Sequence, residues 1–99
     1  MSFNKTWKTI SEVKEANEAA GQFWFSKHTM RFFKTRIVTG IIKGRYFVTA
    51  ETNPSGVERF SARIVEDDAS ISTIGKFHSF DDIDDAKAAI KAHAKEAAL

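Results

Sequence analysis

The chain contains no cysteine, and its 99 residues include only one proline. Without cysteine the protein can form neither a disulfide nor a thiolate metal site, and it has no thiol nucleophile. No apolar segment approaches the roughly 20 residues that a membrane-spanning helix requires. The N-terminal segment MSFNKTWKT also lacks the apolar region of a signal peptide. These absences predict a cytoplasmic protein that has no membrane partner.

The sequence also lacks the short motifs of phosphate-binding loops, dinucleotide-binding folds, zinc proteases and serine hydrolases. Its three histidines, His28, His78 and His93, do not share the spacing of metal ligands. The pattern therefore predicts no metal, no cofactor and no catalytic residue, and it favours a binding protein over an enzyme.

Size and charge favour a single domain with an uneven surface. The hydrophobic fraction of 42% and the charged fraction of 28% are ordinary for a globular chain. The net charge of +2 is smaller than a dedicated DNA-binding domain usually carries. However, residues 27–45 contain six basic residues and no acid, whereas residues 81–85, DDIDD, contain four aspartates. The acidic cluster suits the start of a helix, and an interaction role for it stays open.

Two helices are predicted, one near each end of the chain. The first covers about residues 10–20, because Thr9 and Glu12 resemble a capping box and Gly21 can adopt the left-handed conformation that ends a helix. The second follows a capping pattern at Ser79 and Asp82, with aspartates in its first turns and lysines in its later ones. Its narrow apolar stripe consists of Ile83, Ala86, Ile90, Ala94 and Ala97.

Between these helices the hydrophobic period changes to two, which predicts strands. RFFKTRIVTGII and RYFVTAET should form a hairpin around Lys43-Gly44, and TNPSGV is a second turn before the strand ERFSARIVE. SISTIGKF should be the next strand, and QFWF a short strand before the hairpin. The predicted fold class is α+β: an antiparallel three- to four-stranded meander packed on one face by N- and C-terminal helices.

The alternation within ERFSARIVE predicts that the sheet has one core face and one wet face. Its apolar side chains would pack against the helices, and the polar side chains between them would face solvent: Arg59, Ser61 and Arg63.

The segment QFWFSKHTMRFFKTRI holds five aromatic rings with basic residues among them. The rings could fill the core of a small domain, since each buries a large area, or they could form a platform on which nucleic-acid bases stack. If the segment is extended, Phe32 and Phe33 point to opposite faces, and Trp24 points away from Phe23 and Phe25. We therefore expect part of this set in the core and part available to a partner or to the N-terminal segment.

Several stretches resemble a group of small uncharacterised bacteriophage proteins. The pattern runs W-F-S-x-x-T-M-R-F-F-x-(S/T)-R, then Y-F-(V/I)-T-(A/S)-E, then R-(Y/F)-(S/T)-x-R, and it ends in a glycine-aromatic strand and an alanine-rich helix. It covers about residues 14–92, and it departs from the group at Lys27-His28, where Pro-Asp is commoner. The resemblance implies a phage or prophage origin and a single small α+β domain, and it brings no known activity.

A second stretch, STIGKFHSFDDIDDAKAAIKAHA, is similar to the end of the three-stranded-sheet-plus-helix DNA-binding domains of phage integrase arms and of a class of plant transcription factors. In those domains a sheet lies in the major groove with a helix behind it. The pattern is generic, so the resemblance implies an analogy of fold only.

The leading hypothesis is a non-catalytic phage or prophage accessory protein that inhibits a host protein or nucleoprotein complex, of the anti-defence or anti-CRISPR type, in the host cytoplasm. Buried aromatic and arginine anchors dominate such interfaces, so the expected partner-binding residues are Trp24, Arg31 and Phe33.

The alternative hypothesis is a module that binds DNA or RNA through the basic wet face of the sheet. Cationic side chains neutralise phosphates in such interfaces, and the expected contacts are Arg36, Arg45, Arg59 and Arg63. The sequence pattern leaves the oligomeric state open.

Overall fold

The computed structural model describes residues 5–97, so the first four residues of the segment MSFNKTWKT lie outside it. The elements in chain order are α1 (Ile10–Ala19), α2 (Lys27–Phe32), β1 (Arg36–Ile37), β2 (Tyr46–Thr52), β3 (Glu58–Val65), β4 (Ile71–Thr73) and α3 (Ile83–Ala97). The strands form one antiparallel sheet in the order β1-β2-β3-β4. This meander with helices near both ends confirms the predicted α+β fold class. None of the helices within residues 5–97 has the length and apolar character needed to cross a bilayer.

The two terminal helices cover opposite faces of the sheet. Tyr46 on β2 packs in one buried cluster with Ala86 and Ile90 of α3. The next residue, Phe47, packs in a second buried cluster with Val13 of α1. Consecutive strand residues point to opposite faces, so the prediction that both helices pack on one face is wrong. The period-two pattern was compatible with a single core, but the central strands carry buried side chains on both faces.

The predicted hairpin turn at Lys43-Gly44 is confirmed. Ile42 pairs with Tyr46 across it, and both turn residues have positive φ, 51° for Lys43 and 80° for Gly44. β1 is much shorter than predicted, because the chain bulges between Val38 and Ile42. The Val38 N–H donates to the Val48 carbonyl and the Ile42 N–H to the Tyr46 carbonyl, so three residues on one side oppose one on the other.

The first helix begins and ends as predicted. The Thr9 hydroxyl oxygen accepts a hydrogen bond from the Glu12 N–H at 3.1 Å. Gly21 has a φ of 79°, and its N–H donates to the Glu18 carbonyl. The cap therefore satisfies backbone groups that have no partner within the helix.

The start of α3 differs from the prediction. The Asp82 carboxylate, rather than Ser79, accepts from the backbone N–H of the first turn, at 2.9 Å from Asp85. The Ser79 hydroxyl instead donates to the Lys76 carbonyl at 2.7 Å. The predicted capping box at Ser79 is therefore wrong, and the helix begins three residues later than that pattern implied. Both residue types cap helices equally well, so the sequence pattern alone does not choose between them.

The aromatic segment is helical rather than extended. Residues 23–26 form a turn in which the Ser26 N–H donates to the Phe23 carbonyl. The Ser26 hydroxyl oxygen then accepts from the Thr29 N–H at 3.2 Å and caps α2. The predicted strand QFWF and the extended start of RFFKTRIVTGII are therefore wrong. β4 is also shorter than predicted and ends at Thr73.

Candidate interaction site

Three phenylalanine rings form a continuous, solvent-exposed row, which we call the phenylalanine ridge: Phe32, Phe33 and Phe77. Their exposed fractions are 72%, 41% and 41%. The ring centroids of Phe32 and Phe33 are 4.6 Å apart, and those of Phe33 and Phe77 are 4.9 Å apart. The ridge therefore brings the end of α2 against the segment that follows β4.

A left-handed residue follows each of the two ridge residues that join these segments. Lys34, after Phe33, has a φ of 51°, and His78, after Phe77, has a φ of 61°. This conformation costs a non-glycine residue roughly 1–2 kcal/mol. The Phe33 carbonyl also accepts from the Thr52 N–H at 3.0 Å, which fixes the turn to the end of β2. The fold thus holds the two rings in contact with each other in spite of a backbone cost.

Beneath the ridge lies a buried polar network on the sheet face that was predicted to be wet. The Glu51 side chain on β2, in a residue only 1% exposed, accepts hydrogen bonds from Thr49, from Ser61 at 2.7 Å and from Arg63 at 3.2 Å. The His78 N–H donates to the Ser61 hydroxyl oxygen at 2.7 Å. The network therefore connects the two central strands to the loop that carries Phe77.

The Arg63 guanidinium occupies the centre of this network. It donates to the hydroxyl oxygens of Thr49, at 3.0 Å, and of Thr73. Its central carbon lies 5.5 Å from the ring centroid of Trp24 and 5.3 Å from that of Phe77, within the range of cation–π attraction. Burial lowers the pKa of Arg63, and the neighbouring Glu51 carboxylate opposes that shift. The cation is thus held by one ion pair, two hydroxyl groups and two aromatic rings.

A cleft of about 240 Å³ opens beside this guanidinium, and we call it the Arg63 cleft. Aromatic and aliphatic side chains form most of its walls, and the threonines and Arg63 supply its polar atoms. Its lining residues are Trp24, Thr29, Met30, Phe33, Thr35, Arg63 and Phe77. The cleft therefore combines an apolar wall with a cationic floor.

The structure brings two of the three predicted partner-binding residues together. Phe33 belongs to the ridge, and Trp24 lies on the wall of the same cleft. Trp24 is half-buried and packs edge-on against Phe25 and Phe47, with centroid distances of 4.8 and 5.7 Å. Arg31 is exposed on α2.

The predicted division of the aromatic set is confirmed, but its geometry is not. Trp24 and Phe25 pack against the core cluster that contains Trp7. Among the five rings of this segment, Phe23 and Phe32 are the most exposed, at 76% and 72%. The prediction that Trp24 points away from Phe25 is wrong, because residues 23–26 turn instead of extending.

The four arginines of the alternative hypothesis do not share one wet face. Arg63 lies on the predicted face but is only 7% exposed, so the prediction that it faces solvent is wrong. Arg59 donates to the Ser79 carbonyl at 3.0 Å and forms an ion pair with Asp81 at 3.1 Å. A basic residue with such contacts is less available to phosphate than a solvated one.

The remaining two arginines lie elsewhere. Arg36 pairs in register with Ala50, which in turn pairs with Phe60, so it belongs to the face covered by α3. Its guanidinium forms an ion pair with Glu58 at 3.0 Å. Arg45 is half-buried in the turn before β2. The sheet therefore does not present these residues as a single basic surface.

Two of the four aspartates of DDIDD have structural partners. Asp82 caps α3, and Asp81 pairs with Arg59. The helix-start interpretation thus accounts for Asp82, whereas an interaction role for the cluster stays untested.

The histidines make separate contacts. His78 Nε2 lies 2.8 Å from the Glu51 carbonyl oxygen, and His93 Nδ1 lies 2.9 Å from the Tyr46 hydroxyl. His28 is exposed. Within the described residues no three acidic or histidine side chains come together to hold a metal ion. That the protein needs no metal stays a prediction.

Sequence reasoning missed Phe77 and Glu51 as site residues. Phe77 was placed in a fourth strand, but it lies in the loop after β4. Glu51 stands in YFVTAET among alternating residues, where a carboxylate ordinarily faces solvent. The sequence signals this network only when two strands are considered together. Glu51, Ser61 and Arg63 share one face when β2 and β3 pair in the observed register.

Comparison with known proteins identifies the family but not an activity. No curated protein and no solved structure matches the chain. A family profile, described as "Family of unknown function (DUF7447)", matches residues 9–91. That span includes every strand, the phenylalanine ridge and the Arg63 cleft. Since the match covers most of its length, the chain belongs to this family of unknown function.

Proposed function

We propose that this chain is a non-catalytic binding protein that docks a partner protein on the phenylalanine ridge. The observation that carries the proposal is the row of three exposed rings held in mutual contact. A contiguous exposed apolar patch marks an interaction surface more often than isolated apolar residues do. Aromatic side chains also dominate the affinity of protein interfaces, because they bury a large area with few rotatable bonds.

The charge around the ridge favours a partner that carries acidic groups. Arg31 and Lys34 are exposed beside Phe32 and Phe33 in the chain. Residues 27–45, which contain α2, have no acidic side chain. Complementary charge at the rim of an interface speeds association and orients the partner. We therefore expect acidic residues on the partner around an apolar contact.

Binding is a better use of this surface than catalysis. The Glu51 carboxylate beneath the ridge already accepts hydrogen bonds from Thr49, Ser61 and Arg63. A general base must reach the proton that it removes, whereas this carboxylate is 1% exposed and engaged on both oxygens. Its environment suits a structural ion pair.

The identity of the partner is a finer proposal, and it rests on the resemblance to bacteriophage proteins. We infer that the protein acts in the host cytoplasm and blocks a host protein or nucleoprotein complex, such as a CRISPR–Cas effector. A small domain that presents one aromatic ridge suits obstruction of a larger machine.

Affinity capture from a bacterial host lysate tests the ridge. The bait is the intact chain, the test variant is Phe32→Ala, and the matched control is Phe23→Ala, which removes an equally exposed ring outside the ridge. We expect one protein to be captured by the wild type and the control, to be lost with Phe32→Ala and to survive nuclease treatment. Capture that is equal for all three baits would reject the ridge as the docking surface.

The finer proposal needs a separate assay. The chain would be expressed in bacteria whose CRISPR–Cas system restricts a test phage, and plaque formation would be counted. Restored plaque formation that depends on Phe32 supports inhibition of that system. Unchanged restriction, at confirmed expression, rejects it for that system and leaves the docking test independent.

A further inference from the structure

The floor of the Arg63 cleft has unused hydrogen-bonding capacity. An arginine side chain carries five N–H donors and no acceptor. Arg63 uses its Nε–H on Thr49, one Nη1–H on Thr73 and one Nη2–H on Glu51. One N–H on each terminal nitrogen therefore has no acceptor among the described residues, although the residue is only 7% exposed. Buried donors without acceptors are unfavourable, so an acceptor that enters the cleft would be stabilised.

The electrostatics of the cleft favour a negatively charged acceptor. Burial lowers the pKa of Arg63, and the attraction of Glu51 only partly offsets it. An anion that enters the cleft would be attracted by the guanidinium, and that attraction has to exceed the repulsion from the Glu51 carboxylate. Arginine also presents paired N–H groups with the geometry of a carboxylate. The exposed cations Arg31 and Lys34 follow Met30 and Phe33, which line the cleft, directly in the chain.

The size and the walls of the cleft limit the kind of chemical group that could carry a negative charge into it. Its volume of about 240 Å³ is below the roughly 300–1,000 Å³ of sites for drug-sized molecules. Trp24, Met30 and Phe33 offer apolar contact around the cationic floor. The cleft thus suits one small group that combines an apolar body with an anionic end.

We propose that the Arg63 cleft binds a carboxylate that is carried on a short apolar group. Two sources present this chemistry: the apolar C-terminal residue of a polypeptide and a free short-chain acid. The first source rests on the proposed function, because the polypeptide would be the docked partner. The chemistry of the site itself does not depend on that function.

Nuclear magnetic resonance of the intact ¹⁵N-labelled chain tests the site. The probe is 3-methylbutanoate, and the matched control ligand is 3-methylbutanamide, which has the same apolar body without the charge. Both would be titrated to about 20 mM, since so few atoms bind weakly. We expect the Arg63 Nε–H and Trp24 indole N–H signals to shift with the acid, and the amide to bind at least about tenfold more weakly. Equal binding of the two ligands, or no shift with either, would overturn the proposal.

Variants locate the binding. Thr35→Phe adds a ring at the wall of the cleft and should abolish the shifts, while Phe23→Ala should leave them unchanged. Arg63→Lys should weaken binding of the acid, but this buried residue also supports the fold. The wild-type comparison of acid and amide therefore decides the matter if that variant does not fold. Shifts that persist in a folded Thr35→Phe variant would place the acid elsewhere and overturn the proposal.

Peptides distinguish the two sources. A short peptide that ends in leucine with a free carboxylate would be compared with its C-terminal amide and with 3-methylbutanoate. Binding of the free peptide at least about tenfold more tightly than the small acid supports a polypeptide end. Binding that is no tighter rejects that source and leaves the free acid. If capture from the lysate does not depend on the ridge but the chain still binds 3-methylbutanoate, the proposed function is rejected and this site is retained.

Discussion

Arg63 Nη2 and Glu51 Oε2 lie 3.2 Å apart on neighbouring strands, inside the sheet face that the sequence pattern marks as solvent-exposed. The two side chains are 8% and 1% exposed. Hydrogen bonds to such a pair offset part of the cost of burying its charges, and Thr49, Ser61 and Thr73 supply several of them here. Trp24 and Phe77 therefore pack over an ion pair and not over apolar side chains alone.

Removal of one charge of this pair should be strongly destabilising. Glu51→Gln keeps the shape of the side chain but leaves the Arg63 cation buried without its counter-ion. We expect the free energy of unfolding to fall by about 3–5 kcal/mol in urea denaturation. Glu58→Gln is the matched control, because it removes the carboxylate of the exposed pair with Arg36, and it should cost less than about 1 kcal/mol. Similar losses for both variants would show that the buried network is not the stabilising one.

The left-handed residue after Phe33 should respond to glycine in the opposite sense from a helical residue. Lys34→Gly relieves the strain at a φ of 51° and should raise the free energy of unfolding by about 1 kcal/mol. Lys87→Gly in the middle of α3 should lower it by about the same amount. Chemical denaturation measures both. A loss of stability in Lys34→Gly would mean that its backbone conformation is not strained.

The C-terminal helix should depend on its buried stripe. Ile90 is 1% exposed, and Ile90→Asp would place an unpaired charge in the cluster with Tyr46 and Ala86. We expect a loss of about 4 kcal/mol or failure to fold. The neighbouring exposed Lys91 offers the control, since Lys91→Gln should change stability by less than about 0.5 kcal/mol. An unchanged thermal melt for Ile90→Asp would contradict the observed packing.

A pH titration should find Asp68 unusually acidic. The Ser70 hydroxyl and then the Ser70 backbone N–H donate to its carboxylate and hold its pKa below the usual 3.8. A depressed folded pKa means that this group stabilises the fold above the unfolded pKa and loses that contribution as the pH falls through the folded pKa. Carboxyl NMR should show the pKa rise toward 3.8 in Ser70→Ala and stay low in Ser72→Ala. An unchanged value in Ser70→Ala would rule out the hydroxyl as the main cause.

The nucleic-acid hypothesis can now be tested on the ridge rather than on the sheet. Exposed rings flanked by cations can also stack the bases of a single strand. A mobility shift with short single strands and duplexes at about 0.1 M salt measures this directly. We expect no shift at tens of micromolar protein, because the sheet arginines are paired or buried. Binding with a log–log salt slope near −0.7 per phosphate contact, lost in Arg31→Ala, would make nucleic acid the primary partner.

Features with local signals could be predicted from the sequence. Thr9 and Gly21 mark the two ends of α1, and Lys43-Gly44 marks the hairpin turn. These features could be predicted because helix capping and positive φ depend on a few adjacent residues. The segment around Trp24 could not be predicted, since bulky aromatic residues suit both a strand and a packed turn. The role of Arg63 was hidden for another reason: its partner Glu51 is distant in the chain and meets it only through the β2–β3 register. Trp24 and the loop that carries Phe77 and His78 then cover the side chains that alternation alone assigns to solvent.

The outermost strands β1 and β4 contain only two and three residues. Short edge strands offer few free backbone N–H and C=O groups to another chain, so they resist sheet extension and aggregation. A partner therefore gains little from adding a strand, the usual route by which peptides recognise an open sheet. A partner of the kind proposed would therefore bind side chains, and the specificity of that binding could change through surface substitutions that leave the strand pairing unaltered.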